Sequence, residues 1–311
     1  MVVSDLLTWA GSLPARTVII SGGDRPDDLR LVESARDHGM VERCILVGDE
    51  SAIRRTSETI GVDVPEDDII ATDSAEETAA RTVESISSGA VDVILKGNIS
   101  TPVLNREMVR IRTRDTIGLV TVFDATPIAA GRPLLFTDAG VTTVCDEARL
   151  TGLIGNAIDV ARDVLEIHHP RVALLAANEK IIASLPSTGL ARDLSSHDWP
   201  GASVYGPLSF DLAVSEASVR QKEVALEGAA ARVAGRADVL VCPGLDAANI
   251  LYKVLMELAR HGLASMAGIT VGLPLPYVIL SRADSTETRL LSIALASLAR
   301  ERLADYRGMF Q

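Results

Sequence analysis

The sequence predicts an α/β fold built on parallel sheets, and three observations predict it. Short apolar runs alternate with longer segments of helical period, which is the pattern of right-handed βαβ units. The 47% apolar content is aliphatic, with only 3% aromatics, and suits strands buried on both faces under Ala-rich helices. At 311 residues the chain exceeds one typical core, so it holds two domains or one large α/β unit.

Taken in order, Thr17–Ser21, Cys44–Gly48 and Val91–Leu95 read as strands. Pro26–His38, Ser51–Ile60 and Ser74–Ser87 between them read as helices, with Pro26 at an early helical position and Asp24 as a cap. Strands Leu119–Phe123 and Leu134–Phe136 flank a turn-rich Ala125–Pro133. The βαβ rhythm breaks between Ala125 and Val144, and a second domain is expected to start there. Helix Glu147–Leu165 leads through His168-His169-Pro170 into strand Val172–Ala176. The polar, turn-rich Pro186–Gly206 reads as a loop, and Ala213–Val233 as helix. Strand Val239–Val241, helix Ala247–His261 and strands Ala267–Val271 and Val278–Leu280 follow. A closing helix carries Leu291, Leu295 and Leu298 on one stripe.

A net charge of −12, from 42 acids against 30 bases, argues against nucleic acid as a partner. An acidic protein that binds anions must gather its positive charge locally. Cys44, Cys145 and Cys242 are scattered and read as buried, reduced thiols, which makes a cytoplasmic protein the expectation. No basic segment precedes an apolar core near the N-terminus, and no uncharged apolar run approaches the roughly 20 residues of a membrane span. Neither a signal peptide nor a membrane partner is expected.

In open α/β sheets the ligand sits outside the carboxyl ends of the strands, so the residues after each strand outline the site. Lys96-Gly97-Asn98 follow one strand and Asp138-Ala139-Gly140 another. Pro243-Gly244-Leu245-Asp246 follow a third, and Asp246, Asn249 and Lys253 share a face of the next helix. After Leu280 come Ser281, Arg282 and Asp284: a hydroxyl, a guanidinium and a carboxylate where a strand tip meets a helix N-terminus. That meeting suits a bound anion. Arg282 can clamp one with two parallel hydrogen bonds, and Asp284 can take a proton. The segment reads equally as a capping box, with Asp284 as N-cap and Glu287 as its partner. Phosphate-loop, dinucleotide, zincin and nucleophile-elbow motifs are missing, and His168-His169 precede a strand, at the opposite edge. Direct group transfer between two bound substrates remains.

Five segments run in order along the chain: Lys96-Gly97-x-Ile99-x-Thr101, Thr137-Asp138-Ala139, Gly206-Pro207-Leu208-x-x-Asp211-x-Ala213-x-Ser215, Asn249-Ile250-Leu251-Tyr252-Lys253, and Ser281-Arg282-Ala283-Asp284-Ser285-x-Glu287-Thr288. Together they resemble the phosphate acetyl/butyryltransferase family, and more closely its shorter butyryltransferase-like branch. The resemblance implies two three-layer α/β/α domains with mostly parallel sheets, an isocitrate/isopropylmalate dehydrogenase-like architecture with the active cleft between them. Residues 1–140 with 282–311 would form the first domain and 141–281 the second, in a homodimer. It implies reversible transfer of a short acyl group, acetyl to butyryl, by direct attack in a ternary complex: acyl-CoA plus phosphate gives acyl phosphate plus CoA. Acyl-CoA and inorganic phosphate are then the partners, with no metal and no cofactor beyond CoA as substrate.

The same resemblance assigns roles. Arg282 and Arg112 would hold the phosphate, with Lys96 assisting, because a dianion must be partly desolvated before it attacks a thioester. Ser281 would hydrogen-bond the thiolate or the developing oxyanion, and Asp284 would serve as general base. Gly97, Asn98, Asp138, Asp246, Asn249 and Lys253 would bind substrate. Thr288 stands where the acetyltransferase branch has an aspartate, and Gly118-Leu119 where relatives often have a Ser-His pair. Two other readings stay open: a metal- and NAD(P)-dependent hydroxy-acid dehydrogenase on a related fold, with Asp246 and Asp211 as candidate ligands, and a degenerate acyl-CoA-binding relative.

Overall fold

The computed structural model describes residues 2–222, 227–279 and 283–307. Its first stretch runs α1 (Asp5–Gly11), β1 (Arg16–Ser21), α2 (Pro26–Asp37), β2 (Val41–Gly48), α3 (Glu50–Ile60), β3 (Ile69–Ala71), α4 (Ala75–Ser87), β4 (Val93–Lys96) and α5 (Thr101–Met108). The middle runs β5 (Gly118–Ala125), β6 (Leu134–Thr137), α6 (Glu147–Asp159), β7 (Arg171–Leu175), α7 (Pro186–Ser195), β8 (Ser203–Leu208), α8 (Phe210–Val214), α9 (Glu216–Gln221), α10 (Gly228–Val233), β9 (Val239–Val241) and α11 (Leu245–Arg260). The chain closes with β10 (Ala264–Val271), β11 (Tyr277–Val278), α12 (Thr286–Arg302) and α13 (Ala304–Arg307).

These elements form two compact units, residues 4–115 with 267–311 and residues 1–3 with 116–266. The crossings at 115/116 and 266/267 fall earlier than the 140/141 and 281/282 expected from sequence. Strand pairing explains the shift. The antiparallel hairpin β5–β6 extends through β6 onto β9, which places it in the second unit. In the first unit β11 pairs with β4, and Thr270 of β10 pairs with Tyr277 of β11.

In the first unit the strands run β3-β2-β1-β4-β11, all parallel, with β10 antiparallel beside β11. Helices α4 and α5 pack together, as do α1, α12, α2 and α3. The second unit runs β5-β6-β9-β7-β8, parallel except for the β5–β6 pair. Both cores are aliphatic, as buried strands demand: Val18, Ile19 and Ile20 of β1 and Val172 and Ala173 of β7 are fully enclosed.

The structure corrects several expectations. Pro186–Gly206 is no loop: it holds α7 and most of β8. The polar look of α7 hides a narrow buried face of Thr188, Ala191 and Leu194. β8 is an edge strand carrying Gly206 and Pro207, and a Cβ at Gly206 would stand 2.6 Å from Leu174 of β7. Only glycine admits that approach. Ala213–Val233 is not one helix, because Ser215 is extended and caps α9 through the amide of Ser218. Asp24 does not cap α2, whose N-cap is the extended Arg25. Finally, α12 is buried around its whole circumference rather than along one stripe, Leu290, Ile293, Ala294 and Ala296 included. Among the described residues no helix is long and apolar enough to cross a membrane.

Candidate functional site

In the first unit, register brings the ends of three strands level. Ser21 of β1 pairs with Lys96 of β4, and Leu95 of β4 with Val278 of β11. The turns after β1 and β4 then meet backbone to backbone. The amide of Gly97 donates to Ser21 O at 2.9 Å, and that of Asn98 to Gly22 O at 2.7 Å. Gly22 has φ +81°, and a Cβ there would lie 2.5 Å from the Asn98 carbonyl carbon. A Cβ at Gly97 would lie 2.2 Å from Gly22 O. The glycines are therefore demanded by the contact, and Gly22 is a site residue that sequence reasoning missed although a glycine pair directly after a strand signalled it.

That junction holds the expected binding residues in place. Half-buried Lys96 ends β4, its Nζ 3.3 Å from Gly97 O. The exposed Asn98 amide is held at both ends: Arg25 Nη2 donates to its Oδ1 at 2.9 Å, and its Nδ2 donates to Asp24 Oδ2 at 3.0 Å. A cavity of about 550 Å³ opens at the same edge, lined by Gly22, Asp24, Asp49, Thr72, Asp73 and Asn98. Its carboxylates would repel a phosphate.

Arg112 is exposed and follows a 3₁₀ turn, where its Nη1 donates to Val109 O at 3.2 Å. Its neighbour Thr113 is fixed by its amide, which donates to Gly272 O at 2.9 Å. Ser281 and Arg282 lie outside the described residues. Asp284 is half-buried, one residue ahead of the cap of α12. That cap is Ser285, so the box of Asp284 and Glu287 does not form. Ser285 Oγ accepts from the Thr288 amide at 3.1 Å and donates to Thr288 Oγ1 at 3.0 Å. Buried Thr288 thus completes the cap where the acetyltransferase branch carries an acid. The first turn of α12 is tied to that of α2 by the Arg289–Asp28 ion pair.

In the second unit, Asp138 follows β6 and is 3% exposed. Its carboxylate is wrapped by backbone amides: Gly140 at 3.0 Å, Val141 at 3.2 Å and Thr142 at 2.8 Å. Burial pushes its pKa above the ordinary carboxylate value, and the amides pull the other way. Geometry thus makes Asp138 the organiser of its own loop. The loop is tied to α11 by Asn249 Nδ2, which donates to Ala139 O at 3.0 Å. Asp246, Asn249 and Lys253 are exposed along α11, with Lys253 Nζ 5.4 Å from the Tyr252 ring centre. Asp211 bonds Ser209 at 2.7 Å and Lys222 at 3.1 Å, which holds its carboxyl below the usual range. Among the described residues no three His, Cys, Asp or Glu side chains gather around a possible cation position.

Burial pushes the Cys44 and Cys242 thiols up to about 12, and raises that of Cys145 less strongly. Native protein treated with Ellman's reagent at pH 8 should therefore release no more than one equivalent promptly, from Cys145, against three after unfolding. Because these folded pKa values exceed the unfolded value near 9, the stability they contribute is complete below pH 9 and falls as pH climbs toward 12. Prompt release of three equivalents would contradict the burial.

The family model described as Phosphate acetyl/butaryl transferase matches residues 70–297. A phosphate butyryltransferase of Clostridium acetobutylicum is 34% identical over 87% of this chain and 88% of its own. A phosphate acetyltransferase of Thermotoga maritima is 34% identical over 82% of this chain and 85% of its own. Among solved structures, a branched-chain phosphotransacylase from Enterococcus faecalis V583 superposes with TM-score 0.76 at 30% identity, covering 92% of this chain and 99% of that one. This chain belongs to the phosphate acetyl/butaryl transferase family.

Proposed function

We propose that this protein transfers a short acyl group, acetyl to butyryl, between CoA and inorganic phosphate. The observation that carries the reading is the family match over 70–297, a span holding Lys96, Asp138, Asn249 and Ser281-Arg282. The level ends of β4 and β11 support it, because they start Lys96 and the segment leading to Arg282 from one strand edge. Both a butyryl- and an acetyltransferase stand at equal identity, so the acyl range stays broad.

In this reading Lys96, Arg112 and Arg282 strip water from the phosphate dianion and aim one oxygen at the thioester carbon. The C–O bond forms, the carbonyl oxygen takes the charge, and the C–S bond breaks as CoA leaves as thiolate. Ser281 donates a hydrogen bond to that charge as it develops. In the reverse direction Asp284 takes the thiol proton, since a free thiol with a pKa of roughly 8.5 is mostly protonated at neutral pH. Gly97 and Asn98 shape the turn beside Lys96, Asp138 positions its loop, and Asp246, Asn249 and Lys253 meet the CoA. We further propose a cytoplasmic homodimer that needs neither metal nor redox cofactor.

The test is thiol release from acetyl-, propionyl- and butyryl-CoA with and without phosphate. Release that depends on phosphate is expected; release indifferent to it would make the protein a thioesterase and end the proposal. Arg282→Ala should raise the KM for phosphate about tenfold or more, the worth of one or two charge-assisted hydrogen bonds.

A further inference from the structure

The amino edge of the second unit's sheet gathers positive charge on a protein whose net charge is −12. Arg132 precedes β6, Arg171 opens β7 and Asp238 precedes β9, so the three stand side by side at the end of the sheet opposite Asp138. Asp238 is 4% exposed. Arg171 grips it with Nε at 2.8 Å and Nη2 at 2.7 Å, and Arg132 reaches it with Nη1 at 3.0 Å. Two guanidiniums therefore share one carboxylate, and one positive charge is left over. Arg236 adds a third, 2.6 Å from Glu216, which Arg220 also approaches at 3.4 Å. Four arginines face two acids.

A cavity of about 720 Å³ opens on this cluster, lined by Arg132, Arg171, Arg236, Ser215, Glu216 and the 127–130 turn. Its size lies within the usual range of small-molecule sites, roughly 300–1,000 Å³. The turn is left-handed at Ala129 (φ 49°), Ala130 (φ 56°) and Gly131 (φ 76°). Alanine in that region is strained and persists only where its surroundings enforce it. Burial pushes the Arg132 pKa down and Asp238 holds it up, while hydrogen bonds to Asp238 raise that of Arg171. A purely structural role, stitching β6, β9 and β7 together through Asp238, accounts for the inner three residues. It does not account for the cavity.

We propose that this cavity binds a small phosphorylated metabolite of at least two negative charges, at the sheet edge opposite Asp138. Guanidinium forks match phosphate oxygens in pairs, and the surplus charge of the cluster supplies the attraction. Arg236 guards the mouth and Arg132 with Arg171 forms the floor.

The experiment is a calorimetric titration of the full chain with inorganic pyrophosphate, in the unaltered protein and in the Arg236→Ala and Arg282→Ala variants. Arg236→Ala removes only a solvent-exposed ion pair, so the protein stays folded. Arg282→Ala should lose only the binding that belongs to the acyl-transfer site and keep a separate pyrophosphate-binding event, while Arg236→Ala weakens that event about tenfold and keeps its phosphate-dependent thiol release. Affinity unchanged by Arg236→Ala, or loss of all pyrophosphate binding in Arg282→Ala, would overturn the proposal and leave the acyl-transfer site to account for the anion. Because thiol release is read separately, that outcome leaves the acyltransferase reading standing.

Discussion

Gly97→Ala should lower phosphate-dependent thiol release about a hundredfold or more and destabilise the fold as well. The added Cβ would sit 2.2 Å from Gly22 O and 2.7 Å from Ile20 Cγ2, so neither a rotamer change nor a flexible neighbour can relieve it. The β4 turn must retreat by about an ångström, which breaks the hydrogen bonds that the Gly97 amide donates to Ser21 O and the Asn98 amide to Gly22 O. Overpacking of this kind costs roughly 1–3 kcal/mol. Displacement of a substrate-positioning group by about 1 Å costs on the order of a hundredfold in rate. Lys96 and Asn98 ride on that turn. Gly189→Ala is the control, since a Cβ there meets nothing within 4 Å and the residue is helical. Should Gly97→Ala retain most of its activity and melt within a few degrees of the parent, the turn does not position the phosphate-binding groups.

The second large effect is expected for Arg289→Ala. Asp28 is 3% exposed, and its pKa is already raised by burial, with Arg289 and Arg25 opposing. Removing the arginine leaves a buried carboxylate without its principal counter-charge, a change that costs roughly 3–5 kcal/mol. Melting should drop by roughly 6–20 °C, at about 2–4 °C per kcal/mol for domains of this size. The sign of the pH dependence follows from the raised carboxyl. Its folded pKa lies above the unfolded 3.8, so the penalty is absent below that value and grows as pH rises through the folded one. The deficit of Arg289→Ala should therefore be smaller at pH 5 than at pH 8, and Asp28→Asn in the same background should recover most of it. A deficit that is equal at both pH values would mean that the pair is not the cause. Because the pair ties the first turn of α12 to α2, its loss should also loosen the approach to Ser285 and Asp284.

Much of this was legible in the sequence, and the reason is local. Runs such as Val18-Ile19-Ile20 and Val93-Ile94-Leu95 are apolar throughout, and only a strand buried on both faces requires that. Lys96, Asp138 and Asp246 could be singled out because the residue after a parallel strand reaches the carboxyl edge whatever the details of packing. Misreadings came where local pattern and environment diverge. α7 has a thin apolar face that composition averages away, and β8 carries a glycine and a proline that usually argue against a strand. The cap of α12 moved from Asp284 to Ser285, a choice between neighbouring hydroxyl and carboxylate that local sequence leaves open.

By itself, then, the amino-acid order determined the α/β class, the strand-edge positions of the polar residues and the family, since all three depend on near-neighbour chemistry and spacing. Tertiary structure decided which backbones touch at Gly22 and Gly97, that Asn249 reaches the Ala139 carbonyl, and that Arg132 and Arg171 converge on Asp238. Those are contacts between residues far apart along the chain. They are set by register and by packing at short range in space, quantities that no local pattern carries.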